Sequence, residues 1–177
     1  MKYSPVLLSL GSNLGDREDN LRRAIRALTS QAEITLLAVS SIYETEPLYY
    51  RDQPFFFNLV LAVATDLEPL DFWHHCRQIE QSMGRPDNRR PNAPRIIDID
   101  IVSFDKLVLS TAELQVPHPR FTERRFVLQP MREIMADLQC PPCTKTVAEL
   151  EENCTDDSCV VKLKPMSDVA IKTDGVA

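Results

Sequence analysis

The segment Arg95-Ile96-Ile97-Asp98-Ile99-Asp100-Ile101 alternates apolar and acidic residues within a predicted β-strand, 96–104. Successive side chains of a strand point to opposite faces, so Ile97, Ile99 and Ile101 point one way while Asp98 and Asp100 point the other, about 7 Å apart. Three isoleucines on one face indicate a central strand with a core behind it. We therefore expect two neighbouring carboxylates on the opposite face of that strand.

The residues before this strand predict two further strand-and-helix units. An apolar strand at 6–10 is followed by a turn at 11–15 and by a helix that Asp16 can cap. Strands are predicted at 34–45 and 55–65, and Glu68 with Pro69 opens a second helix that Gly84 ends. With strand 96–104 the order is βαββαβ. This order predicts an α+β, ferredoxin-like sandwich, in which helices cover one face of a mainly antiparallel sheet.

The rest of the chain carries weaker signals. The segment 126–135 has an apolar pattern that Pro130 must interrupt or start, since proline lacks the backbone donor of a helix interior. From Glu149 onward the chain is acidic and polar. We therefore divide it into a domain at 1–148 and a C-terminal tail at 149–177, which we expect to be loosely attached. The spacing of Cys140, Cys143, Cys154 and Cys159 does not fit a common zinc module, so we interpret these residues as incidental thiols.

Composition limits the classes of function. The 177 residues are 44% hydrophobic and 26% charged, as in a soluble single-domain protein. A formal net charge of −6 argues against binding of nucleic acid or an anionic membrane. We see no membrane span or signal peptide, and the odd number of cysteines, five, favours reduced thiols, so we expect a cytoplasmic protein.

Arginines are concentrated in two places. Arg85, Arg89, Arg90 and Arg95 lie within eleven residues, and Arg120, Arg124 and Arg125 lie within six. Arginine binds phosphate bidentately, and Mg²⁺ prefers one or two carboxylates together with phosphate oxygens. The chain has four glycines and no glycine-rich phosphate loop, so side chains and metal would have to hold a polyphosphate. Solvated loops and exposed aspartates are the alternative interpretation.

Several motifs occur together in a fixed order. They are Gly11-Ser12-Asn13-Leu14-Gly15, Ser40-Ser41-Ile42-Tyr43-Glu44-Thr45, Gln53-Pro54-Phe55-Phe56-Phe57-Asn58, Pro94-Arg95-Ile96-Ile97-Asp98-Ile99-Asp100-Ile101, Val116-Pro117-His118-Pro119-Arg120-Phe121 and Arg124-Arg125-Phe126-Val127-Leu128. With these motifs the chain, from about Val6 to Leu138, resembles the 6-hydroxymethyl-7,8-dihydropterin pyrophosphokinases of folate synthesis.

The resemblance implies transfer of pyrophosphate from ATP to the pterin hydroxymethyl group, with release of AMP, on a ferredoxin-like fold that uses two Mg²⁺ ions. By position, Asp98 and Asp100 match the metal ligands, and Arg85 and Arg95 match arginines that hold the transferring phosphates. The residues that match the nucleotide site are Glu80, Ile101, His118 and Arg124. The residues that match the pterin site are Thr45, Leu48, Phe56, Asn58 and Phe126, with the two phenylalanines enclosing the ring.

Other expectations complete the interpretation. The loop at 85–94 should close over ATP, although Asn92 and Asp87 depart from residues that many relatives have there, and Arg77 replaces a glutamine. We expect a monomer whose partners are small molecules. The alternative from another class is a non-catalytic ferredoxin-like module that binds an anion or nucleotide, which would need the arginines but not two inward carboxylates.

Overall fold

The computed structural model describes residues 2–48, 51–84 and 93–167. The first elements are β1 (Tyr3–Ser12), α1 (Arg17–Thr29), β2 (Ile34–Val39), β3 (Ser41–Thr45), β4 (Phe56–Thr65), α2 (Pro69–Ser82) and β5 (Asp98–Phe104). The later ones are β6 (Leu109–Ser110), β7 (Gln115–Val116), a 3-10 turn (Phe121–Glu123), α3 (Arg125–Met135), α4 (Val147–Glu152) and β8 (Val160–Pro165). The loop at 85–94, predicted to close over ATP, lies mostly outside the described residues.

Within the described residues the main sheet has six strands, and each neighbouring pair is antiparallel. Its order is β5-β1-β4-β3-β8, and β2 also pairs with β4. The predicted α+β class and the mainly antiparallel sheet are confirmed. The predicted strand 34–45 is divided at Ser40, whose side-chain oxygen accepts a hydrogen bond from the backbone N–H of Val60 (2.9 Å). β2 and β3 therefore follow β4 one after the other along the same edge.

The position of β5 corrects one expectation. This strand is at the edge of the sheet and not at its centre. Ile97, Ile99 and Ile101 are buried as predicted, at 0%, 0% and 4% exposure. A buried side-chain face does not require a neighbour on both edges, because side chains from a packed helix can cover the free edge.

The first two helices form as the sequence predicts. Asp16 caps α1 by accepting a hydrogen bond from the backbone N–H of Asp19, and the helix buries Leu21, Ala24, Ile25 and Leu28. Gly84 follows α2 with φ of +101°, a conformation that suits glycine. Both helices pack on one face of the sheet, against residues such as Leu8 and Ile99.

The opposite face of the sheet is also covered, contrary to the expectation of helices on one face. Leu7, Val60 and Val102 point into a second core, which the apolar residues of α3 and α4 close. Pro130 lies inside α3 and neither starts nor interrupts it. Pro130 is the sixth of the eleven residues of α3, where a proline removes one backbone hydrogen bond of the helix, and its burial can offset that loss.

The C-terminal residues belong to the same body. The boundary predicted at 148 falls inside α4, whose Val147 and Leu150 are in the second core. β8 pairs with β3, with Thr45 opposite Val160. The expectation of a loosely attached tail is therefore wrong for residues 149–167. No helix in the described ranges is long and apolar enough to span a membrane.

Candidate active site

A pocket of about 280 Å³ opens beside β1, β4 and β5, and we call it the central pocket. It contains ten of the thirteen residues predicted for the site: Thr45, Leu48, Phe56, Asn58, Arg95, Asp98, Asp100, His118, Arg124 and Phe126. Glu80 and Ile101 do not line it, and Arg85 lies outside the described residues. The structure thus brings together most of the predicted residues from five separate parts of the chain.

The two carboxylates point into the central pocket from the face of β5 opposite the isoleucines, as predicted. Arg95 Nε lies 3.2 Å from an oxygen of Asp98, and Arg124 Nη1 lies 3.9 Å from an oxygen of Asp100. Burial and the neighbouring Asp98 raise the pKa of Asp100 to about 6. The raised pKa shows that a second negative charge beside Asp98 is unfavourable. A cation bound between the two carboxylates would remove this repulsion.

The donor set fits Mg²⁺. Two carboxylates facing an open pocket are the usual protein contribution to a magnesium site, which keeps water or substrate phosphate as its other ligands. No group of three or more histidines, cysteines or acidic residues that could hold a metal occurs in the described part of the chain. Asp98 and Asp100 would therefore need oxygens from outside the protein to complete the coordination.

An arginine side chain lies over each of two phenylalanine rings in the pocket. The guanidinium carbon of Arg95 lies 5.0 Å from the centre of the Phe56 ring, and that of Arg124 lies 5.6 Å from the centre of the Phe126 ring. Both rings line the central pocket. Aromatic faces suit a flat heterocycle, and the arginines beside them suit an anionic group attached to it.

Asn58 is buried and hydrogen-bonded. It is 5% exposed, and its amide nitrogen donates to Thr45 Oγ1 at 2.7 Å. Gly11 lies opposite it on β1, and a Cβ at position 11 would be 2.5 Å from Asn58 Oδ1. Gly11 thus leaves the space that the amide occupies, which is a role that the sequence alone did not reveal.

Asn13 connects two sides of the central pocket. Its side-chain oxygen accepts from the backbone N–H of Arg95 at 2.7 Å. Its amide nitrogen donates to Gln53 Oε1 at 2.9 Å and to the backbone oxygen of Pro54 at 3.1 Å. Sequence reasoning noted Asn13 only as part of a motif, because the pairing of residues 40 and 82 positions apart has no local signal.

Glu80 is fully buried, which excludes a solvated surface position. Its Oε1 accepts from the backbone N–H of Ile99 at 2.7 Å, and Arg77 Nη2 donates to the backbone oxygen of Ile99 at 2.7 Å. The two side chains also form an ion pair, at 2.6 Å. They thus bond the free edge of β5 between Asp98 and Asp100, in the place of a further strand.

His118 lines the central pocket in the neutral form. Burial, followed by the charges of Arg124 and Arg120, lowers the pKa of His118 to about 4. Its Nδ1 accepts from the backbone N–H of Arg120 at 3.2 Å. Near neutral pH the proton is therefore on Nε2, where it can be donated to an oxygen ligand.

The fold and the site define a class: a ferredoxin-like protein whose pocket combines a carboxylate pair, arginines and aromatic walls. Comparison with known proteins gives the family. The sequence model of the 7,8-dihydro-6-hydroxymethylpterin-pyrophosphokinase family matches residues 7–136. The chain belongs to this family.

Individual relatives agree. The chain is 43% identical over 132 residues to the 2-amino-4-hydroxy-6-hydroxymethyldihydropteridine pyrophosphokinase of Bacillus subtilis, covering 75% of this chain and 78% of that protein. It is 38% identical over 160 residues to the folic acid synthesis protein FOL1 of Dictyostelium discoideum, covering 90% of this chain but 24% of that protein. This chain thus spans about a quarter of the longer relative.

Solved structures support the fold. A crystal structure of an HPPK-DHPS protein in complex with substrates has a TM-score of 0.70 at 15% identity, covering 86% of this chain and 43% of that one. Plasmodium falciparum HPPK-DHPS with pteroate gives 0.68 at 16% identity, with 85% and 42% covered. At these identities the likeness concerns the ferredoxin-like fold alone.

Proposed function

We propose that this chain transfers the pyrophosphoryl group of ATP to the hydroxymethyl oxygen of 6-hydroxymethyl-7,8-dihydropterin. The products would be AMP and the pterin diphosphate. The observation that carries this proposal is the placement of Asp98 and Asp100 in one pocket between Arg95 and Arg124. Membership of the pyrophosphokinase family supports the same reaction.

The phosphates would bind at the carboxylate end of the central pocket. Asp98 and Asp100 would hold Mg²⁺, two ions by analogy with the family, and bound metal would supply neutralisation of the phosphate charge. Arg95 and Arg124 already lie within 4 Å of the carboxylates, at 3.2 Å and 3.9 Å, so they can contact phosphate oxygens on the same ions. Neutral His118 would donate from Nε2. These groups position the reactants and balance their charge, which is most of what phosphoryl transfer requires.

The pterin would bind between Phe56 and Phe126. Asn58 offers amide groups to the edge of the ring, and the backbone near Thr45 and Leu48 borders the same space. The roles of Arg85, Glu80 and Ile101 stay predictions, as do a monomeric state and a cytoplasmic location. Glu80 does not line the pocket in the described residues, and its hydrogen bond from the Ile99 backbone also supports the strand that carries Asp98 and Asp100.

The test is to mix the protein with Mg²⁺, ATP and 6-hydroxymethyl-7,8-dihydropterin and to identify the nucleotide product. We expect AMP in amounts equal to the pterin diphosphate. ADP would contradict the proposal in favour of ordinary kinase chemistry, and ATP binding without any product would favour the non-catalytic module that binds an anion or nucleotide.

A variant tests the carboxylate pair. Asp98→Ala should lower turnover by at least about 100-fold and weaken binding of Mg-ATP, because it removes an anionic metal ligand. Asp66→Ala removes an exposed carboxylate outside the central pocket and is the matched control. Near-normal kinetics of the Asp98 variant would reject the metal site.

A further inference from the structure

The C-terminal segment 153–159, which we call the strap, joins α4 to β8 and passes two walls of the central pocket. It lies beyond residues 7–136, the part that the family's sequence model matches. The strap contacts the beginning of α3 at one point and the substrate side of the pocket at another.

The first contact is at the beginning of α3. The backbone N–H of Arg125, the first residue of the helix, donates to Asp156 Oδ2 at 2.8 Å. The first N–H groups of a helix have no partner within the helix, and this end favours negative charge. The first turn of α3 contains no acidic residue, and Arg124 at the N-cap position makes no side-chain cap. Asp156 provides both the acceptor and the charge from 31 residues away.

The residues on either side of Arg125 belong to the site. Arg124 and Phe126 both line the central pocket, and Arg124 is only 9% exposed. A rotation or shift of the first turn would move the guanidinium near Asp100 and the aromatic wall at the same time. Asp156 is itself held in place, because its Oδ1 accepts from the backbone N–H of Ser158 at 3.0 Å.

The second contact is at Glu46, which lines the other side of the central pocket. The backbone N–H of Glu46 donates to the backbone oxygen of Cys159 at 3.3 Å. In return, the backbone N–H of Cys159 donates to Glu46 Oε1 at 2.9 Å. These bonds extend the pairing of β3 with β8 by one residue, up to the loop that carries Leu48.

We propose that Asp156 is a positioning residue for the reaction: through the strap it fixes Arg124 and Phe126 relative to the pocket wall at Glu46. The inference rests on the proposed function. It assigns a consequence for the reaction to a segment that does not line the central pocket, and the effect should fall on substrate affinity more than on folding.

The experiment compares Asp156→Ala with Asp157→Ala. Both remove one carboxylate from adjacent residues of the strap, but Asp157 is exposed and is the matched control. We measure the dissociation constants of 6-hydroxymethylpterin and of a nonhydrolysable Mg-ATP analogue by calorimetry, together with KM, kcat and the thermal midpoint. Calorimetry keeps the two proposals separate: if the wild type binds but yields no AMP, the proposed function fails, while the positioning role is still tested.

We expect Asp156→Ala to weaken binding of the pterin by about fivefold or more, because Arg124 and Phe126 would no longer be held in their binding positions before the substrate arrives. Its KM should rise more than its kcat falls, at a temperature where all variants are folded. Asp156→Asn keeps an acceptor oxygen without the charge and should recover part of the affinity, while Asp157→Ala should equal the wild type. Equal affinities and KM values for Asp156→Ala and Asp157→Ala would overturn the proposal. If Asp156→Ala does not fold, Asp156→Asn and Asp157→Asn replace the pair, and equal values again overturn it.

Discussion

Gly11→Ala is the substitution whose effect the structure defines most closely. The new Cβ would lie 2.5 Å from Asn58 Oδ1, whereas ordinary contact begins at 3.4 Å. The amide must therefore move by about 0.9 Å. Phe56, the other pocket residue near this Cβ, is at 3.7 Å and can stay in place. The perturbation is thus directed at Asn58.

The displacement has two consequences. Inserting a methyl group into a packed region costs about 1–3 kcal/mol of folding stability. The hydrogen bond from Asn58 to Thr45, now 2.7 Å, would be broken or redirected by a movement of this size. A misplacement of about 1 Å near reacting groups can lower the rate by about 100-fold. We therefore expect kcat/KM for the pterin to fall between about 10-fold and 100-fold, with less effect on KM for ATP.

A double-mutant cycle provides the control. In Asn58→Ala the atom that clashes is absent, so adding Gly11→Ala should cost less than about 0.5 kcal/mol in urea unfolding. The same change in the wild-type background should cost about 1–3 kcal/mol. Equal costs in the two backgrounds would show that position 11 acts through something other than Asn58, and the steric account would be refuted.

Two further predictions concern ionisable groups, one buried and one half-buried. Arg77→Ala leaves Glu80, which is fully buried, without its ion-pair partner, and we expect about 3 kcal/mol of destabilisation in urea unfolding. Adding Glu80→Gln should recover most of it, and no recovery would argue against the ion pair as the cause. The pKa of His118 in the folded protein is about 4 against an ordinary 6.5, so the unfolded chain binds more protons between these values. The free energy of unfolding should therefore keep the full contribution of His118 above pH 6.5 and should decrease by up to about 3 kcal/mol as the pH falls towards 4. His118→Gln should flatten that part of the pH profile. An unchanged slope in this variant would contradict the prediction.

The sequence predicted those elements whose signal is local. The alternation of Ile97 to Ile101 fixed which residues of β5 face the core and which face the pocket, since a strand has a side-chain period of two. The cap at Asp16 and the apolar face of α1 were predicted for a similar reason. In each case the residues that determine the structure lie within a few positions of one another along the chain.

The errors concern relations between distant segments. Three isoleucines indicate that one face of β5 is buried, but they carry no information on its edges, which Arg77 and Glu80 cover. β8 was missed because its residues are mostly exposed, and its attachment to β3 depends on backbone hydrogen bonds that any sequence can make. The second helical layer was missed because Pro130 was treated as a break.

In the candidate site, too, local motifs were predicted and contacts between distant segments were not. The site residues were predicted together because the resemblance to the pyrophosphokinases places them, and ten of the thirteen line one pocket. The contacts that support them were not predicted. Asn13 reaches residues 40 and 82 positions away, and Asp156 reaches one that is 31 positions away.

The central pocket has two halves, and different contacts hold the side chains of each half in place. Asp98, Asp100 and Asn58 lie on strands that are hydrogen-bonded to β1, so the carboxylates and the amide keep their spacing as long as the sheet is intact. Arg124, Phe126 and Glu46 lie at the start of a helix and in a loop, where single side-chain and backbone contacts of the strap fix them. Substitutions that disturb the first half should therefore affect folding and turnover together. Substitutions at the strap should affect substrate affinity with little change in stability, because few buried contacts depend on them.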